Sequence, residues 1–233
     1  MRKSLLIAAT AMGIGAFSAG PVLAANPTNA NGSAGNSNAA TTADALLNGA
    51  TRAIDNLNND HSYAKLMHQA KGVFIVPNET TGALGIGGQG GQGVLLKRTN
   101  NGWSNPAFMS IGTLSLGPQA GVSKGETVML LMTRKAMDDF VQANNFSLGA
   151  SAGLHVAGYT GNHQAPSQGN NDVVVWSNHS GAYVGANIKA TDISANSKED
   201  QNFYNKSVST QQILNGDVSQ QAAAKPLISS LHS

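Results

Sequence analysis

The stretch from Gly72 to Ile193 alternates short apolar runs with glycine and asparagine, which constrains the fold more than any other feature of the sequence. Apolar or β-branched runs bounded by such residues are typical of strands. Residues 72–77 form the clearest run, a short buried strand that Pro77 should end. Hairpin turns are predicted at 100–102 and 179–181. Further strands are predicted at 83–97, 103–116, 126–133, 146–159, 172–178 and 181–190.

Helical periodicity flanks this β-rich part. Apolar residues recur every three or four positions from Ala43 to Leu57, which predicts an amphipathic helix capped by Thr41 or Thr42. Its polar face carries few lysines, which favours packing on its own domain over contact with a membrane; both interpretations stay open. Further helices are predicted at 61–69, 134–144, 197–205, 209–215 and 220–231. The sequence therefore predicts an α+β fold.

The N-terminus has the pattern of a cleavable signal peptide. Arg2 and Lys3 precede an apolar run, and small residues before the end of 1–24 suit cleavage after Ala24. That run is too short to span a bilayer of about 30 Å as a helix, and no transmembrane segment is expected later. We expect a signal peptide at 1–24, a flexible linker at 25–41, one domain at 42–233, and a periplasmic or secreted protein.

Composition narrows the classes of function. The chain has no cysteine, so neither disulfides nor cysteine-ligated metals are available. Removing Arg2 and Lys3 with the signal peptide leaves 12 basic against 12 acidic residues. A net charge of zero gives no global field to attract nucleic acid, so no nucleic-acid partner is expected. No cofactor is expected either.

Two glycine-rich segments match sequence motifs of enzyme classes, but neither has the predicted structure that its class requires. Residues 85–90 match the dinucleotide pattern GxGxxG, but that pattern needs a helix after the glycines, and a strand is predicted there. Residues 149–153 match the GxSxG pattern of serine hydrolases around Ser151, yet the following residues alternate like a strand. A strand that bulges, or that another backbone approaches closely, explains the first motif better. No enzyme is predicted.

Eight short segments occur in an order that resembles the SYLF domain family, over roughly Ala43 to Leu231. What the resemblance implies is a glycine-rich antiparallel β-sheet or barrel-like core with packed N- and C-terminal helices. It also implies lipid binding: eukaryotic members bind phosphoinositides, yeast members also bind actin, and bacterial members are typically exported. The segments are 70–73, 90–94, 103–107, 117–121, 146–149, 174–177, 181–185, and Tyr204 with 213–216.

We therefore expect an exported bacterial, non-enzymatic domain that binds an anionic lipid or membrane surface. Cations near such a surface contribute about 1 kcal/mol each, so a cluster of them matters even at zero net charge. A structural or protein-interaction role in the cell envelope, with an envelope protein as partner, is the alternative. A metal-binding protein or uncharacterised enzyme is a weaker one. The candidate lipid contacts are Lys65, Lys71, Lys97, Arg98, Lys124, Arg134 and Lys135.

Overall fold

The computed structural model describes residues 37–80, 91–116, 124–142, 146–148, 154–160, 171–178 and 188–232. All of them belong to one unit that runs from Ser33 to Ser233. The predicted signal peptide and the predicted turn at 179–181 lie outside the described residues. The glycine motifs at 85–90 and 149–153 also lie outside them.

Six helices are described, two before the strands, one among them and three after them. Side chains cap several of them: Thr133 accepts a hydrogen bond from the backbone N–H of Ala136, and Ser209 forms a capping box with Gln212. A short 3₁₀ turn at Ala222–Ala224 precedes the last helix. The helices are α1 (Ser37–Asn58), α2 (His61–Met67), α3 (Arg134–Val141), α4 (Ser197–Tyr204), α5 (Thr210–Asn215) and α6 (Lys225–Ser230).

The ten described strands form one curled, half-barrel sheet. The strands are β1 (Gly72–Thr80), β2 (Gly91–Thr99), β3 (Gly102–Trp103), β4 (Ala107–Ile111), β5 (Thr113–Leu116), β6 (Lys124–Leu131), β7 (Phe146–Leu148), β8 (Val156–Thr160), β9 (Val173–Ser177) and β10 (Ile188–Ala195). The order is β5-β10-β4-β2-β1-β6-β9-β8, with β3 beside β2 and β7 beside β10. The pairs are antiparallel except β8 with β9. The predicted α+β class and largely antiparallel sheet are confirmed.

Both faces of the central strands are buried. Val73 and Ile75 point into a core covered by α1, α2 and α6, whereas Phe74 and Val76 point into a second core covered by α3, α4 and α5. Side chains alternate between the faces of a strand, so a strand buried on both faces has a continuous apolar run. This arrangement explains the unbroken run at the start of β1.

The apolar face predicted for the first helix is confirmed. Seven residues of α1 are buried in the first core, and they are Ala43, Leu46, Leu47, Ala50, Ala53, Ile54 and Leu57. The helix begins at Ser37, inside the segment 25–41 that we expected to be a linker, rather than at the predicted caps Thr41 or Thr42. The first five residues of α1 therefore belong to the segment that we expected to be a linker.

Several predicted strand boundaries were wrong. Pro77 lies within β1, where a register shift between Val76 and Glu79 accommodates it. The predicted strand 103–116 is divided into β3, β4 and β5. Ser104 and Asn105 lie between β3 and β4: the Ser104 hydroxyl accepts from the N–H of Lys97 in β2, and the Asn105 side-chain amide donates to the Val218 oxygen.

Other boundaries differ further along the chain. The predicted strand 146–159 is interrupted, because Leu154 and His155 are not in a strand. The strand predicted at 181–190 is described from Ile188 and extends to Ala195. The predicted helix 134–144 ends at Val141. By contrast, the hairpin turn at 100–102 is confirmed between β2 and β3.

Candidate functional site

Strand register places Lys71, Lys97 and Arg98 at one end of the sheet, and Arg134 and Lys135 follow the end of β6 there. Lys65 lies on α2, and Arg98 bonds the last residue of that helix, Met67. Gly72 pairs with Lys97 of β2 and with Leu131 of β6, so the start of β1 lies beside the ends of both neighbours. Lys71 therefore lies beside the segment between β6 and α3. We call this region the basic end, and it comprises Lys65, Lys71, Lys97, Arg98, Arg134 and Lys135.

Lys124 lies at the other end of the sheet. It is the first residue of β6 and pairs with Thr80, whereas Leu131 at the end of β6 pairs with Gly72. Seven residues separate Lys124 from Leu131, which corresponds to about 23 Å along a strand. The structure therefore does not bring Lys124 together with the other candidates.

Exposed cations line the basic end. Lys65, Lys71, Arg134 and Lys135 are all exposed. The backbone of Lys71 is fixed on both sides, because its N–H donates to the Leu131 oxygen at 2.7 Å and its oxygen accepts from the N–H of Arg98 at 2.9 Å. Its ammonium group extends from a rigid strand end into solvent.

Two lysines at this end have polar partners. The ammonium group of Lys135 lies 3.0 Å from the carboxylate of Asp139, one turn further along α3. The ammonium group of Lys97, which is half-exposed, donates to the side-chain oxygen of Asn215 at 3.0 Å. Within the described part of the chain, Lys65, Lys71 and Arg134 make no side-chain ion pair. These three are the cations best placed to meet an external anion.

Arg98 turns toward the protein. Its Nε donates to the Ala70 oxygen at 2.9 Å and its Nη2 to the Met67 oxygen at 2.7 Å. The guanidinium also lies 4.2 Å from the ring centroid of Trp103, a cation–π contact. Burial lowers the pKa of Arg98. The Arg98 guanidinium binds backbone carbonyls at and just after the C-terminal end of α2. Arg98 therefore stabilises the position of α2 at the basic end and does not extend into solvent there.

A hydrogen-bonded cluster that the sequence analysis missed lies at the same end. Asp172 precedes β9, and its carboxylate accepts from the Thr133 hydroxyl at 2.7 Å and from the backbone N–H of His155 at 2.9 Å. The exposed His155 ring places Nδ1 3.3 Å from the same carboxylate. The His155 N–H chiefly lowers the pKa of Asp172, and the Thr133 hydroxyl adds to this while burial opposes it. No sequence spacing signals a contact between residues 39 apart.

The described residues offer little to other classes of function. They contain no group of three or more histidine, aspartate or glutamate side chains placed to hold a metal. Strand β2 directly follows the first glycine motif, and Leu154 and His155, which belong to no helix or strand, separate the second motif from β8. Neither motif therefore has the helix that its enzyme class requires. No helix in the described ranges has the length and apolarity needed to cross a membrane.

Known proteins resemble this chain. Residues 112–233 match the family model described as Ysc84: Las17-binding protein actin regulator. Protein YSC84 of Saccharomyces cerevisiae is 26% identical over 174 residues, covering 72% of this chain and 37% of the yeast protein. SH3 domain-containing YSC84-like protein 1 of Rattus norvegicus is 25% identical over 173 residues, covering 73% of this chain and 51% of the rat protein.

A third relative shows a similar degree of identity. SH3 domain-containing protein PJ696.02 of Schizosaccharomyces pombe is 25% identical over 174 residues, covering 72% of this chain and 40% of that protein. The matched region thus spans about half or less of each relative's own length. Since the family model matches more than half of the chain, the chain belongs to the Ysc84 (SYLF) family.

Proposed function

We propose that this protein is an exported, non-enzymatic domain that binds anionic lipid surfaces through its basic end. The observation that carries the proposal is the convergence of exposed cations from α2, β1 and α3 at one end of the sheet. Near an anionic surface, three of them would contribute about 3 kcal/mol, which corresponds to an affinity change of roughly a hundredfold. The chain after the predicted cleavage has 12 basic and 12 acidic residues, so no net positive charge assists these cations.

The rigid backbone that carries Lys71 and Arg134 also favours the basic end as the lipid-binding surface. Lys71 directly precedes β1 and its backbone is hydrogen-bonded on both sides, and Arg134 begins α3, which the Thr133 side chain caps. Cations on rigid elements lose less freedom on binding than cations on loops, so more of their attraction appears as affinity. The exposed imidazole of His155 lies at the same end, beside Asp172.

Vesicle flotation tests the proposal. We expect the protein, purified after export, to float with vesicles of phosphatidylglycerol and phosphatidylcholine and to stay behind with phosphatidylcholine alone. Its mass should correspond to a chain that begins at Ala25, the predicted mature N-terminus. A retained N-terminal segment would contradict the export proposal, and equal failure on both vesicle types would contradict lipid binding.

A matched pair of variants tests the site. The triple variant Lys65→Gln, Lys71→Gln, Arg134→Gln removes three exposed cations from the basic end. The control variant Arg52→Gln, Lys198→Gln, Lys225→Gln removes three exposed cations from α1, α4 and α6. We expect a loss of roughly tenfold to a hundredfold in vesicle affinity for the first variant and little change for the second. Equal losses would show that total charge matters and the basic end does not.

A protein partner is the second candidate. The family model's description names Las17 binding and actin regulation, and the curated relatives carry additional length outside the matched region. A cell-envelope protein would be the corresponding partner of an exported member. Pull-down from an envelope extract treated with detergent should recover a defined protein at stoichiometric yield if this candidate holds, with vesicle binding absent.

A further inference from the structure

Helix α4 packs between the two cores. Phe203 contacts both core clusters, and its ring lies 5.2 Å from that of Phe108 in an edge-to-face arrangement. The hydroxyl of Tyr204 donates to the Pro106 oxygen at 2.6 Å. These contacts hold α4 against β4 and the segment before it, and α1 also contacts α4.

The same helix buries two neighbouring carboxyl groups. Glu199 is 8% exposed and Asp200 is 1% exposed. One oxygen of Asp200 accepts from the backbone N–H of Phe108 at 2.9 Å. Its other oxygen, and Oε1 of Glu199, are buried and have no hydrogen-bond partner among the described residues. A buried carboxylate without partners is costly when ionised and far less so when it carries a proton.

The charged groups of the neighbouring elements do not neutralise this pair. On α4 itself Lys198 is exposed, and β4 and α5 carry no titratable side chain. On α1, Asp44, Arg52 and Asp55 are all exposed. Asp192 of β10 is exposed too, and Tyr204 is already bonded to a backbone oxygen. No described cation is buried with the carboxyl groups, so a proton is the available means of removing the charge.

We propose that α4 docks in a proton-dependent manner: it stays packed on β4 while Asp200 is protonated, and it detaches when Asp200 ionises. Detachment breaks the contact with the Phe108 N–H and exposes the aromatic rings of Phe108 and Phe203. This proton-dependent docking is independent of the proposed lipid binding, because Asp200 lies on α4 and not at the basic end.

The direction of the pH dependence follows from the carboxyl environment. Burial chiefly raises the pKa of Asp200, to about 7; the Phe108 N–H opposes this and the neighbouring Glu199 adds to it. In a detached helix the group returns to about 3.9, the ordinary value for an aspartate. The docked form therefore binds more protons between these values. The equilibrium constant for detachment rises by up to about tenfold per pH unit in that window and levels off above it.

Hydrogen–deuterium exchange on the whole protein tests the proposal. At pH 8, α4 amides should exchange at least tenfold faster than at pH 5 after correction for intrinsic rates, and amides of Val73–Val76 should not. Asp200→Asn should exchange equally at both pH values, because its side chain cannot ionise. Glu199→Gln, the matched control, should keep the transition and move its midpoint to lower pH. An unchanged transition in Asp200→Asn overturns the proposal.

A second measurement needs no variant and covers the case in which Asp200→Asn does not fold. Carbon-13 NMR of the side-chain carboxyls follows each aspartate in the unmodified protein. We expect one aspartate to titrate above pH 5, between the ordinary aspartate value and that of the docked group, together with shifts in the Phe203 ring signals. Titration of every aspartate below pH 5 overturns the proposal.

Discussion

The indole N–H of Trp103 donates a hydrogen bond to the backbone oxygen of Leu231 at 3.1 Å, although 128 positions separate the two residues. The bond ties the β2–β3 hairpin to the end of α6. The neighbouring Ser230 oxygen accepts from the side chain of Asn58 at 3.0 Å, which adds α1 to the same junction. Leu231, directly after α6, is buried in the first core beside this junction.

Replacing Trp103 with phenylalanine tests this junction. The variant removes the donor, leaves the Leu231 oxygen without it and weakens the contact with Arg98. We expect the free energy of unfolding to fall by about 1–3 kcal/mol, measured by urea denaturation. Trp176→Phe, in the same core cluster but without the contact to Leu231, is the control for loss of indole volume. Equal effects of the two variants would argue that packing alone matters at Trp103.

Glycine at position 93 is required by close packing. A side-chain carbon placed there would lie 2.6 Å from the Ile75 oxygen and 2.7 Å from the ring of Phe74, both in the adjacent strand. We expect Gly93→Ala to destabilise the protein by about 1–3 kcal/mol in thermal or urea unfolding, since both neighbours are buried and fixed.

Gly91→Ala is the matched control, two residues earlier on the same strand. Its nearest neighbour would be a methyl of Val76 at 3.6 Å, an ordinary contact. We expect a change within about 0.5 kcal/mol. If both alanine variants were equally stable, close approach of β1 would not explain the glycine at 93.

The periodic spacing of apolar residues predicted helices and strands well where burial of one face determines the pattern. The three- and four-residue spacing from Ala43 to Leu57 identified a buried helical face, because burial of that face is what the spacing encodes. Another backbone closely approaches Gly93, three residues after the GxGxxG motif, whose own residues lie outside the described ranges. Element ends were less predictable: the break in the predicted strand 103–116 includes Asn105, whose side chain bonds the Val218 oxygen 113 positions later.

The candidate site depended on register, which no local pattern supplies. The sequence presented Lys71, Lys97 and Lys124 as equivalent cations, and only the pairing of Gly72 separates the first two from the third. Likewise, nothing near Arg98 in sequence signals that its guanidinium binds carbonyls about 30 positions earlier. Long-range hydrogen bonds decide which charges face solvent.

The variant Arg98→Lys distinguishes a structural role of this arginine from a direct contact with lipid. A lysine at this position cannot bond the Met67 and Ala70 oxygens in the same forked geometry, so we expect a loss of about 1.5–3 kcal/mol in urea unfolding. Arg134→Lys, at an exposed position, is the control and should change stability by less than about 0.5 kcal/mol. An Arg98→Lys protein of normal stability but weakened vesicle binding would instead place this arginine on the lipid-binding surface.

Asp172 should stabilise the fold in a pH window below that of Asp200. The hydrogen bonds from His155 and Thr133 lower the pKa of Asp172, so the stability they contribute is fully present above the ordinary value of about 3.9. It is lost as pH falls through the lowered pKa, because the protonated carboxyl accepts these bonds poorly.

Asp172→Asn should therefore lower the urea midpoint at pH 6 and reduce its further fall between pH 4 and pH 2. Asp138→Asn, an exposed carboxylate on α3, serves as control because it lacks the contacts with His155 and Thr133. The pH 4–7 range, where Asp200 makes the docked form less stable as pH rises, should keep its slope in both variants. An acid-side loss in Asp172→Asn as steep as in the unmodified protein would contradict a role for this carboxylate.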